Sequence, residues 1–210
     1  MNNSIWKAIS YFFHPIIMPT LGFLIVLTSD SYIYLSLDMY QLKKILFTDI
    51  PILFVCTGVL PLLFSGVLVA AKRVSSVMEP TEQDRRWLIA FSELGFLLAF
   101  YVFHRLPPAG VSLYYFILGI NVAMMATLIA SLFTKISLHT VGIGGIVGTV
   151  IGLMYLNHMV MYPLLGSVMG LAVVIGVARY KLKAHEPADI YIGYIIGMAS
   201  QAAVFMLGSR

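Results

Sequence analysis

Charge is scarce in this chain of 210 residues: charged side chains make up 10% of it and apolar ones 60%. A soluble domain carries about a quarter charged residues, so too little polar surface exists here to face water all round. A mean hydropathy of +0.93 says the same. Cysteine is nearly missing as well. Cys56 stands alone, which excludes an intramolecular disulfide framework, and its place inside an apolar run reads as a small core residue. No Ser/Gly/Pro-rich linker, low-complexity segment or charge run divides the chain, so residues 1–210 form one integral membrane domain. A cleavable signal is not expected, because the first apolar run continues as a full span. Metal-ligand spacing is lacking too: His185-Glu186 has no second His of a zinc helix, so neither metal nor other cofactor is expected. The net charge of +4 suits anionic lipid headgroups or phosphorylated substrates, and nothing points to nucleic acid.

What is present is a succession of apolar runs. A bilayer core needs roughly 20 apolar residues as helix, and seven runs come near that: 12–29, 50–71, 87–103, 111–134, 138–157, 160–178 and 189–207. The expected fold is an all-α polytopic membrane protein, a bundle of six to seven helices. Breaks fall at Leu42-Lys43-Lys44, from Lys72 to Arg86, at His104 to Pro108, at Lys135, at Asn157-His158 and from Arg179 to Asp189. Alternation of spans places His14, His139 and His185 at one border, His104 and His158 at the other. Gly144, Gly148 and Gly152 recur every four residues, as do Gly166 with Gly170 and Gly193 with Gly197. Such spacing makes a smooth strip along which a neighbouring backbone approaches closely.

Three polar groups fall together at the first border. In Arg179 to Asp189, His185 and Asp189 stand one helical turn apart, so their side chains can meet. A carboxylate on one ring nitrogen fixes the tautomer and frees the other lone pair to attack, while Arg179 offers a planar fork of donors to phosphate oxygens. The competing account is an ion pair capping a membrane helix. Lys135-Ile136-Ser137-Leu138-His139 puts a hydroxyl, backbone amides and an imidazole at a helix start, which suits phosphate or simple interfacial hydrogen bonding. Gln83-Asp84-Arg85-Arg86-Trp87 reads as a topology anchor or as a clamp on phosphoryl charge. Glu93, inside the third run, is a carboxylate at membrane depth and hence a functional candidate or an arginine's partner.

Arg179, a five-residue gap, His185, a three-residue gap and Asp189 resemble the third signature of the type 2 phosphatidic acid phosphatase family. Ile136-Ser137-Leu138-His139 is similar to its second signature, and Gln83-Asp84-Arg85-Arg86 to its first in a looser way. Ile9 to Pro15 and Lys135 to Gly145 look like a bacterial branch of small phosphatases. Ala178, Leu138 and Ile136 stand where the signatures have Ser, Gly and Pro, and the first signature's Lys has no counterpart at its spacing.

The resemblance implies a phosphatase core in the bacterial inner (cytoplasmic) membrane that hydrolyses a phosphorylated lipid, a phosphate or diphosphate, without metal. It makes His185 the nucleophile through a phosphohistidine, Asp189 its orienting partner and His139 the general acid. Arg179, Ser137 and Arg85 or Arg86 would bind phosphate oxygens. Two other expectations compete: a non-catalytic lipid-headgroup-binding or scaffold protein with a degenerate site, and a small transporter using Glu93. Basic residues favour the motif-bearing border, but most of the surplus is Arg85, Arg86, Lys135 and Arg179 themselves, so charge leaves the sidedness open.

Overall fold

A computed structural model of the protein describes residues 3–30, 37–75, 81–105 and 110–208, and all its regular elements are helical. They are α1 (Asn3–Phe12), α2 (Met18–Ser29), α3 (Met39–Ala70), α4 (Glu82–Arg105), α5 (Val111–Ala130), α6 (Leu138–Leu156), α7 (Tyr162–Lys181) and α8 (Pro187–Gly208). Among the described residues six helices, α3 to α8, are long and apolar enough to cross a membrane. The chain is therefore an integral membrane protein. Residues 76–80 of the expected Lys72–Arg86 break, and Leu106-Pro107-Pro108, lie outside the described residues.

The run at 12–29 does not form one span. His14 and Pro15 interrupt it, because proline removes a donor and disfavours helix in the residue before it. Beyond this break α2 has 12 residues and reaches only about 18 Å, short of a bilayer core of about 30 Å. It still carries the chain through most of the bundle. Met18 packs against Gly142 near the start of α6, and Asp30 accepts a hydrogen bond from Ser112 at the start of α5.

Lys43-Lys44 does not break the chain either. Asp38 opens α3 with a capping box shared with Gln41, and the Lys44 ammonium meets the buried Asp49 carboxylate at 3.1 Å. Pairing removes the main cost of carrying these charges inside a helix. Within α3, Pro51 and Pro61 each come just after a widened π-helical turn, Ile45–Asp49 and Val55–Val59. Each turn accommodates a carbonyl whose amide partner proline lacks.

α6 is the central and most buried of the six helices, with α8, α7, α2 and α5 packed around it. The glycine pattern accounts for its closest contact. A Cβ built on Gly144 or Gly148 would strike the backbone of Tyr194 or Met198, and one on Gly197 would strike Val141 and Gly145. Gly152 lies against Phe205, and Gly193 against Thr140. By contrast, Gly166 and Gly170 on α7 face open space. Among the described residues their four-residue spacing serves no helix contact, contrary to expectation.

Candidate active site at one end of the bundle

Helix-end chemistry positions the charged residues. The Thr81 hydroxyl accepts from the Asp84 amide at 3.1 Å while Asp84 accepts from the Thr81 amide at 3.2 Å, the reciprocal pairing that starts a helix. Asp84 also accepts from the Ser75 amide and hydroxyl, clipping the preceding loop to α4. The next two residues then diverge. Arg86 donates through Nε to the Ser131 carbonyl at 3.1 Å and through Nη2 to that of Leu132 at 3.2 Å. It caps the carbonyl end of α5 and is not among the residues that wall the cavity at this end of the bundle. Arg85 donates to the Ile136 carbonyl at 2.5 Å and does line that cavity.

α7 ends in a Schellman turn. Ala184 N–H donates to the Arg179 carbonyl and Lys183 N–H to that of Tyr180, with Lys183 left-handed at φ 53°. The reversal delivers His185 to the same end as α6's first turn. There its Nδ1 lies 3.0 Å from the Lys135 carbonyl oxygen. A carbonyl only accepts, so Nδ1 carries the proton and Nε2 keeps a free lone pair. Asp189 does not hold the imidazole as the spacing led one to expect. Its Oδ2 is 3.9 Å from Nδ1, while Oδ1 accepts from the Thr134 hydroxyl at 2.6 Å and Oδ2 from the Glu186 amide at 3.4 Å. A backbone carbonyl has taken the orienting role, and the carboxylate ties the start of α8 to the α5–α6 connection.

His139, in the first turn of α6, points at α1. Its Nε2 is 3.1 Å from the Ser10 carbonyl oxygen and 3.3 Å from the Ser10 hydroxyl, so its proton sits on Nε2 and Nδ1 is left free. Arg179 Nη1 donates to the same hydroxyl at 2.6 Å, and its Nε is buried without a partner among the described residues. Ser137 is fully buried at the start of α6, its hydroxyl without a partner among the described residues, and it is not part of the cavity wall. Lys135 is exposed; only its carbonyl takes part.

A cavity of about 320 Å³ joins these groups to the apolar interior. His14, Arg85, His139, Arg179 and His185 line one end. Apolar side chains such as Met18, Ile89, Phe96, Phe116, Ile120 and Ile146 wall most of the remainder, with Gln201, Thr57, Ser65 and Ser92 set among them; the three hydroxyls donate to carbonyls of their own helices. The residue set is amphiphilic, cationic at one end and hydrocarbon beyond. Burial first, and then the charges of Arg85 and Arg179, push the His185 pKa down to about 4 from the ordinary 6.5. It is therefore a neutral imidazole at physiological pH.

Sequence reasoning gave Ser10 no role of its own and placed His14 only at this border. Both sit where α1 meets the bundle, and the one available signal was parity, which puts His14 at the same border as His139 and His185. Glu93 is buried on α4 with neither oxygen hydrogen-bonded among the described residues and does not line the cavity. No group of three or more His, Cys, Asp and Glu side chains among the described residues is arranged to share a metal ion. His104 stacks with Phe100 and lies beside Tyr114 at the far end of the bundle, and His158 comes just after the far end of α6. No family model, curated protein or solved structure matches this chain.

Proposed function

We propose that the protein is a membrane-embedded phosphatase that removes phosphate from a lipid phosphate or diphosphate by way of a phosphohistidine. The observation that carries this reading is the cavity, which sets two arginines and three imidazoles at the head of an apolar chamber. A phosphorylated amphiphile matches both parts at once. Arg85 and Arg179 would counter the phosphoryl charge, most usefully as it redistributes in the transition state. The free Nε2 of His185 would attack phosphorus, forming an N–P bond as the P–O bond to the lipid breaks. His139, protonated at the Nδ1 that Ser10 leaves open, would pass a proton to the leaving oxygen. Water would then attack phosphorus, giving a proton back to His139 Nδ1 as the N–P bond breaks, so that phosphate leaves and both imidazoles are restored. The resemblance of the Arg179–His185–Asp189 spacing to type 2 phosphatidic acid phosphatases supports the same assignment.

A second reading, a headgroup-binding protein without turnover, is favoured by the absence of a close His185–Asp189 contact and by Ser137 lying off the cavity wall. Phosphate release by the purified protein from a panel of lipid phosphates and diphosphates separates the two. Release that disappears in His185→Ala, with the variant still folded, supports hydrolysis. Binding without release by the parent protein supports the second reading.

A further inference from the structure

His14 has no part in the hydrolysis proposed for His185 and His139, yet it lines the head of the cavity beside His139 and Arg179. It is held by the turn between α1 and α2, where Pro15 restricts the backbone. Its ring lies edge-on to that of His139, with centroids 5.7 Å apart and planes at 75°. The Ile16 amide faces His14 Nδ1 at 3.4 Å. An amide N–H can only donate, so Nδ1 is the acceptor and the neutral ring carries its proton on Nε2. Burial, with a further push from the Arg179 charge, lowers the His14 pKa below the ordinary value and so favours this neutral form.

The other two rings differ in one respect. His185 gives its N–H to the Lys135 carbonyl and His139 to that of Ser10. Among the described residues, His14 Nε2–H makes no hydrogen bond. The cavity head thus contains one imidazole donor left unengaged, next to the guanidinium that would bind phosphate. We propose that His14 is a phosphoryl-binding residue: its Nε2–H donates to an oxygen of the phosphate headgroup that Arg85 and Arg179 hold. This rests on the reading of the cavity as a phosphate-amphiphile site, but not on turnover. His14 is not the proton donor of the reaction, because a second proton on Nδ1 would face the Ile16 N–H.

The test is equilibrium binding to the His185→Ala protein in detergent, with hexadecyl phosphate in one arm and inorganic phosphate in the other. His14→Phe keeps a ring against His139 and removes the donor; His14→Gln restores a side-chain N–H. Hydrogen bonds to charged groups are worth enough that His14→Phe should weaken hexadecyl phosphate binding about ten-fold or more. His14→Gln should stay within about three-fold of the parent by the same reasoning. Inorganic phosphate should bind more weakly than hexadecyl phosphate yet lose affinity in the same order, which would mark the headgroup as the shared chemistry. Unchanged binding in His14→Phe, or an equal loss in both variants with their melting temperatures preserved, overturns the proposal. Absence of binding by the parent overturns it together with the cavity reading. Binding that depends on His14, in a protein whose wild type releases no phosphate, upholds this proposal and overturns hydrolysis alone.

Discussion

The Lys135 carbonyl sets the His185 tautomer that the proposed mechanism needs. With Nδ1–H committed there at 3.0 Å, the ring can only present Nε2 as a lone pair, and burial keeps it unprotonated down to about pH 4. His185→Ala should therefore abolish phosphate release while the protein remains folded in micelles. In wild type, the acid limb of the kcat/KM profile that belongs to the nucleophile should have its midpoint near 4 rather than 6.5. The sign for stability is the same: the unfolded histidine takes up its proton first, so stability present above pH 6.5 is lost as pH falls toward 4. The adjacent arginines also separate. Arg85→Ala should mainly raise KM or lower kcat, since Arg85 lines the cavity. Arg86→Ala should instead destabilise the fold by up to the roughly 1.5–3 kcal/mol typical of lost charged hydrogen bonds, read as a lower melting temperature with kinetics little changed. Sequence alone could not part these neighbours, because one helical step decides whether a guanidinium points into the cavity or back to the end of α5.

Elements were legible to different degrees, and the reasons are physical. Apolar runs gave the bodies of α4 to α8 because a bilayer demands length and hydrophobicity together. They failed at α2, where His14-Pro15 splits a run of adequate length, and at Lys43-Lys44, where Asp49 compensates a charge five residues away. Glycine periodicity identified the α6–α8 contact but not which strips would be used. Gly197→Ala should destabilise the protein strongly, since its Cβ would collide with backbone atoms of α6. Gly166→Ala, on an open face, should be neutral or stabilising by up to about 1 kcal/mol. Thermal melts in one detergent check the pair, and equal destabilisation by both would contradict the close approach of α6 and α8.

Across the bundle, parity was the most useful inference. It brought His139, Arg179, His185 and Arg85 to one end and left His104 at the other. Parity says nothing of what each side chain faces, which is why Ser10 went unseen and Asp189 was given a contact that a carbonyl makes instead. On the proposed reading, the bundle places its cationic groups where a headgroup would meet the chamber, and Phe96, Phe116 and Ile146 would surround a tail. The resemblance implies hydrolysis without metal, so EDTA should leave phosphate release unaltered. Loss of activity restored by zinc or magnesium would contradict that. The central claim is covalent, and rapid quenching tests it most directly. With a ³²P-labelled lipid phosphate, protein trapped within one turnover should carry label that survives base and is lost in acid, map to His185, and be missing from His185→Ala. Phosphate release by wild type without any labelled protein, or with label undiminished in His185→Ala, would contradict it.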